Sequence, residues 1–293
     1  MVYGFNETIF NCFIPITICF LLSVTYVASL YVWKSQHERN HPTTIKQRFF
    51  SVFIMMFIAP IFLYMGLSKG LLEKYTLFEI AGLKLQGICQ ACLLPLVLTM
   101  VLFLGPLYMQ FLNGFLNTYL DPNYWIENVK NLRWLRNHIV APLSEEFTFR
   151  SCMLPLLLQC FSPITAVFVC PLFFGVAHFH HMIELVRDGI NFKTAFLMSC
   201  FHFSFTTIFG AYSAYLFLRT GHFMSSFIVH AFCNHMGMPD VSELLTYKGT
   251  QRVVIICVFF LGLVLWCYLL NPLTEPQWFY NDYFYNYYTK IKV

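Results

Sequence analysis

Six polar side chains stand inside or at the end of apolar stretches of this chain. Glu145, Glu146 and Arg150 lie within residues 139–158, His178 ends 164–178, and His230 and Asn234 lie within 223–236. A charge near the centre of a bilayer costs about 2.5–3.5 kcal/mol on insertion scales, so such residues are functional candidates. Their spacing adds information. Glu146 and Arg150 are four apart and can pair on one helix face. Glu145 is turned by about 100° from Glu146 and faces elsewhere. His230 and Asn234 are also four apart and project toward a common partner. A carboxylate can act as general base toward water, and a nearby histidine can orient that water. A histidine and an asparagine on one face can donate hydrogen bonds to an oxyanion. Together these make a hydrolase without a covalent nucleophile. No GxSxG or HExxH motif occurs. Ser144 is expected near the start of its helix, as a capping or packing residue.

The elements that must position these groups are helices in a membrane. Of 293 residues, 58% are hydrophobic and 11% charged, with a mean hydropathy of +0.62. Soluble domains carry about 25% charged residues. An all-α, polytopic membrane protein follows, in one domain (1–293, catalytic core about 137–239). About 20 apolar residues cross a bilayer. Eight spans are expected: 9–32, 49–67, 88–104, 139–158, 164–178, 195–218, 223–236 and 253–270. Lysines and arginines concentrate in the loops around residues 34–48 and 130–136 and favour a cytosolic side there, with the N-terminus lumenal. All six polar groups then lie toward the cytosolic ends of their helices. Asn6-Glu7-Thr8 forms a sequon on the lumenal side.

The net charge of +4 forms no basic stripe, which argues against nucleic acid as a partner. Most of the 11 cysteines lie in apolar runs and read as small hydrophobes. Cys89 and Cys92 form an isolated CxxC with no second pair nearby. The first residues lack the basic n-region of a cleavable signal peptide. The 34 Phe residues are expected to face lipid or pack, and the aromatic tail, 278–288, to lie at an interface.

Three motifs carry a resemblance. Residues 141–150, with Glu145, Glu146 and Arg150, resemble the EExxxR motif of the type II CAAX prenyl endopeptidases, the Ras-converting enzymes. Residues 174–181 resemble their FxxxH motif through Phe174 and His178. Residues 221–237 resemble their HxxxN motif through His230 and Asn234, and the flanking residues fit the eukaryotic branch. The resemblance covers about 141–239. It implies an endoplasmic reticulum protease, active toward the cytosol, that cuts after the lipidated cysteine of prenylated CAAX proteins such as Ras-type small GTPases. It implies that Glu145 activates water with help from His178, and that His230 and Asn234 stabilise the oxyanion. Glu146 and Arg150 hold the site together. It also implies a metal-independent reaction with no cofactor.

Two other classes use similar residues. Glu145, His178, His180, His181 and His230 are metal-ligand types, although their spacing matches no standard zinc motif. Intramembrane Glu, Arg and His also mark proton paths in transporters, but no second half resembles the first. A membrane protein that binds prenylated clients without cutting them is a third possibility, with no evident need for both a base and an oxyanion site. His202 is either functional or a hydrogen-bonding residue between helices. His222 is expected at the opposite interface, and His235 points away from the face of Asn234.

Overall fold

The computed structural model describes residues 3–33, 35, 37–177 and 180–284, without the side chains of 3–11, 177, 180 and 181. Every regular element among the described residues is a helix. We number the principal ones α1 (Tyr3–Ser29), α2 (Pro42–Gly66), α3 (Ile88–Leu102), α4 (Leu104–Leu112), α5 (132–157), α6 (Pro163–Ala177), α7 (His180–Arg187), α8 (Phe192–Thr220), α9 (Phe223–Met236) and α10 (Gly249–Leu273).

Among the described residues, four helices are long and apolar enough to cross a membrane: α1 over Cys12–Ser29, α2, α8 and α10. A fifth span results if α3 and α4, which meet at 74°, are counted as one. The bend has a local cause. Pro106 has no N–H to return to Leu102, and the chain breaks at Phe103. Gly105 and Gly262 let α10 cross this break. A Cβ on Gly262 would lie 2.6 Å from the Val101 carbonyl oxygen.

With that pair counted as one, length and composition carry five of the eight expected spans. The other three are α5, which holds Glu145, Glu146 and Arg150, and the shorter α6 (15 residues) and α9 (14 residues). At 1.5 Å per residue the last two rise about 21–23 Å, against a hydrocarbon thickness of about 30 Å. α5 packs on both α6 and α9 and on α1, α2 and α8, and α6 and α9 each pack on α8. Glu146, Arg150 and His230 are therefore enclosed by protein.

α5 is a composite. Ala141–Glu146 is α-helical, but Arg136–Val140 before it and Phe147–Met153 after it wind as π-helix. Ser144 accordingly sits mid-helix and not at a helix start. Its Oγ donates to the Val140 carbonyl and shares a hydrogen bond with Tyr26 Oη at 3.0 Å.

Two further expectations are corrected. His222 is fully buried, with Nε2 2.8 Å from the Gln86 carbonyl oxygen, because the turn between α8 and α9 folds under residues 82–87. In the aromatic tail, as far as Phe284, Phe279, Tyr283 and Phe284 pack inward, while Trp278 and Tyr280 stay exposed. Phe279 and Phe284 are fully buried, and the Asn281 amide donates to the carbonyls of Leu218 and Arg219. These bonds satisfy the open carbonyls at the C-terminus of α8. Residues 285–288 of that tail lie outside the described residues.

α8 packs closely on α6 along a stripe of small residues. A Cβ on Gly175 would lie 2.7 Å from Thr207 Oγ1, and one on Gly210 would meet Pro171 Cβ at 2.9 Å and Arg150 Nη2 at 3.0 Å. Gly210→Ala should therefore overpack the α6–α8 seam and push on Arg150, at a cost of about 1–3 kcal/mol. Thermal unfolding of the purified protein in detergent reads this as a lowered Tm. An unchanged Tm would show that the seam has room.

Candidate active site

The site is built around Glu146. Its side chain is fully buried, and three partners from three helices reach it. Arg150 Nε, one turn along α5, lies 3.2 Å from Oε2. Ser213 Oγ, from α8, donates to Oε2 at 2.6 Å. His230 Nδ1, from α9, lies 2.6 Å from Oε1. A buried carboxylate is tolerated only when its charge is balanced and its lone pairs are used, and these three groups do both.

Arg150 is equally buried and is the largest fully buried side chain. Its guanidinium carbon stands 4.6 Å from the centre of the Phe174 ring, so a π face covers the cation from α6. Phe174 thereby ties α6, the helix that leads to His178, to the charge pair.

His230 is held at one ring nitrogen and faces the second glutamate with the other. With Nδ1 on Glu146, its Nε2 faces Glu145 Oε2 at 3.8 Å. Phe209 packs against the ring at 4.7 Å. The two glutamates differ accordingly. Glu146 is consumed by structural partners, whereas the Glu145 side chain is 19% exposed and lines an open pocket with Tyr26, Ser144, Phe149 and Phe174.

Asn234 is exposed, one turn beyond His230 on α9, and its Nδ2 donates to the Asn137 carbonyl oxygen at 2.8 Å. That oxygen is open for a physical reason. In the π-wound stretch Ala141 N–H bonds back to Arg136 O. The next bond of that register would run from residue 142 to Asn137 O, and residue 142 is proline, which has no N–H. The asparagine takes the vacant acceptor.

Of the six residues expected from the sequence, Glu145, Glu146, Arg150 and His230 converge. Asn234 lies one turn away, on the rim, and His178 lies outside the described residues. Among the described residues no three His, Cys, Asp or Glu side chains form a metal-ligand group. His235 turns to Tyr119, at 3.2 Å, and stacks on Trp125. Cys89 and Cys92 are both free thiols.

Two partners went unrecognised in the sequence. Ser213 had a signal, because Thr206, Gly210 and Ser213 recur on one face of α8 and mark a close helix contact. Tyr26, whose hydroxyl meets Ser144, had none within an apolar span.

This geometry separates the two glutamates by stability. Glu146→Gln removes the counter-charge of a buried arginine and should cost about 3–5 kcal/mol. Glu145→Gln leaves the pair intact and should keep near wild-type stability. Unfolding midpoints of both variants check this; equal losses would contradict it.

Comparisons with known proteins agree on one family. Residues 128–236 match the family model described as type II CAAX prenyl endopeptidase Rce1-like. The chain is 45% identical to the Homo sapiens protein named CAAX prenyl protease 2, over 91% of this chain and 83% of that one. It is 30% identical to the Arabidopsis thaliana protein of that name, over 92% of both chains. It is 32% identical to the Saccharomyces cerevisiae one, over 76% of this chain and 79% of that one. No solved structure matches.

Proposed function

The chain belongs to the type II CAAX prenyl endopeptidase Rce1-like family, and from that premise we propose that it removes the three terminal residues of prenylated CAAX proteins. It is a multi-pass membrane protein and a peptidase. The observation that carries the mechanistic reading is the asymmetry of the two glutamates. One is locked in a buried network, and its neighbour in sequence is left at a pocket with a histidine nitrogen 3.8 Å away.

In this reading Glu145, assisted by His178, takes a proton from a water molecule. The resulting hydroxide attacks the carbonyl carbon of the prenylated cysteine. His230 Nε2 carries a hydrogen in this role and, with the Asn234 amide, donates to the oxyanion. The proton held by Glu145 passes to the leaving nitrogen as the C–N bond breaks. Glu146 is a positioning residue. It holds Nδ1 of His230, so that Nε2 faces the reacting atoms, and Arg150 and Ser213 hold Glu146. For Asn234 to reach an oxyanion it exchanges its bond to the Asn137 carbonyl for one to substrate. The open pocket and the loop arginines support a site on the cytosolic side of the endoplasmic reticulum membrane, with Ras-type small GTPases among the substrates and the prenyl chain arriving through the lipid.

Cleavage of a farnesylated CAAX peptide by the purified protein tests the reading, and mass spectrometry identifies the bond cut. Glu145→Gln should reduce turnover to near background with the fold intact. Asn234→Ala should cost about 10²–10³ in kcat. Activity near wild type in either variant would remove that residue from the mechanism. A chelator should leave the wild-type rate unchanged, and chelator-sensitive cleavage would favour a bound metal.

A further inference from the structure

The pocket that contains Glu145 is lined by three arginines from two chain segments. Arg39 and Arg48 come from the loop before α2 and from α2, and Arg136 from the N-terminal half of α5. An active site that only needed a base would not gather three cations around it, since they oppose the proton-accepting role of a carboxylate.

Their pairing is uneven. Glu184, on α7, accepts from Arg48 Nη2 at 3.1 Å and lies 3.7 Å from Arg39 Nη1, so a single carboxylate serves both. Tyr31 also donates to Glu184, at 3.0 Å. Arg48 Nε is buried without an acceptor among the described residues. Arg136 meets no carboxylate among the described residues. Its Nη1 donates to Asn40 Oδ1 at 3.1 Å, and more weakly to the Arg39 carbonyl, and its Nε to Asn137 Oδ1. These neutral partners hold the guanidinium at the pocket, and Glu184, already shared by Arg39 and Arg48, acts on it only through space. Burial and the like charges of Arg39, Arg48 and Arg133 pull Arg136 below the usual guanidinium range.

We propose that Arg136, with Arg39 and Arg48 beside it, receives the free C-terminal carboxylate of the peptide substrate. The inference rests on the tripeptide-releasing activity proposed above. The distances agree. Glu145 and Arg136 are nine residues apart on α5, a rise of about 12 Å, since the π-wound residues 136–140 rise less than the α-helical 1.5 Å each. Three extended residues span about 10 Å, and an arginine side chain covers the difference. The π-wound stretch 136–140 lies between them, and both residues line one pocket. A guanidinium fork binds a carboxylate in two parallel hydrogen bonds and does not bind a carboxamide that way. The arginine thus measures the distance from chain end to scissile bond. It selects a tail of three residues and rejects an internal cysteine.

Two substrates and one variant test this. Wild-type protein is given a farnesylated CAAX peptide as the free acid and as the C-terminal carboxamide. The acid should be preferred by about 10–100-fold in kcat/KM, the range expected for a charged hydrogen bond. Arg136→Gln should collapse that preference toward unity, and Arg136→Lys should keep part of it. A second measurement needs no variant: the released tripeptide, as acid, should inhibit wild type, and its amide should not. Equal cleavage of acid and amide by wild type would overturn the proposal while leaving the peptidase reading intact. An unchanged preference in both Arg136 variants would also overturn it. A loss that is equal for both substrates and follows the anionic-lipid content of the vesicles would do the same, and would assign the arginines to a phosphate headgroup. Cleavage of neither peptide by folded wild-type protein would overturn the peptidase reading together with this one.

Discussion

A carboxylate with no exposure to water, inside a helical membrane protein, sets the terms for everything around it. Glu146 needs a counter-charge, which Arg150 supplies, and hydrogen bonds donated by Ser213 and His230 complete its coordination. Each partner imposes a further condition. Arg150 needs Phe174 on its face and the bare backbone of Gly210 at its edge. Ser213 and Gly210 require α8 to lie close, and His230 fixes the rotation of α9. Four helices are thereby registered by one buried charge. A buried ion pair is a poor source of stability compared with apolar packing, but it is unforgiving of misplacement. That suits a site whose reacting groups come from separate helices.

The second organising feature is the winding of α5. Two π-helical stretches flank the six residues that include both glutamates. Such stretches leave carbonyls open and are frequent at functional sites. At Pro142 the open carbonyl is used at once, by Asn234. The polar network is thus extended from α5 to the rim of α9 without another charged group.

Much of the site was legible in the sequence, because charge is expensive in an apolar helix and so its position is informative. Glu145, Glu146, Arg150 and His230 stand out against their surroundings, and helix periodicity separates the faces of the two glutamates. Periodicity within one helix could not tell that His230 bridges both glutamates, since that depends on how α9 docks on α5. Ser213 and Tyr26 were obscured for the same reason: a hydroxyl in an apolar span has many uses, and only the neighbouring helix decides among them. The span count was the least legible feature of the fold. α6 and α9 are apolar but short, and α5 carries charge, so hydropathy alone does not distinguish a crossing helix from one enclosed by others. The inward fold of the tail was hidden because Phe279 and Phe284 resemble interfacial aromatics until the open C-terminus of α8 is seen beside them.

The most direct test of Glu146 as the anchor is a double-mutant cycle on the buried pair, read by thermal unfolding and by cleavage of a farnesylated peptide. Glu146→Leu and Arg150→Met should each destabilise the protein strongly. The double variant should recover much of that stability, because it leaves no unpaired charge, yet remain inactive, because His230 has lost the carboxylate that orients it. Additive losses of stability, or activity regained along with the fold, would contradict the anchoring role.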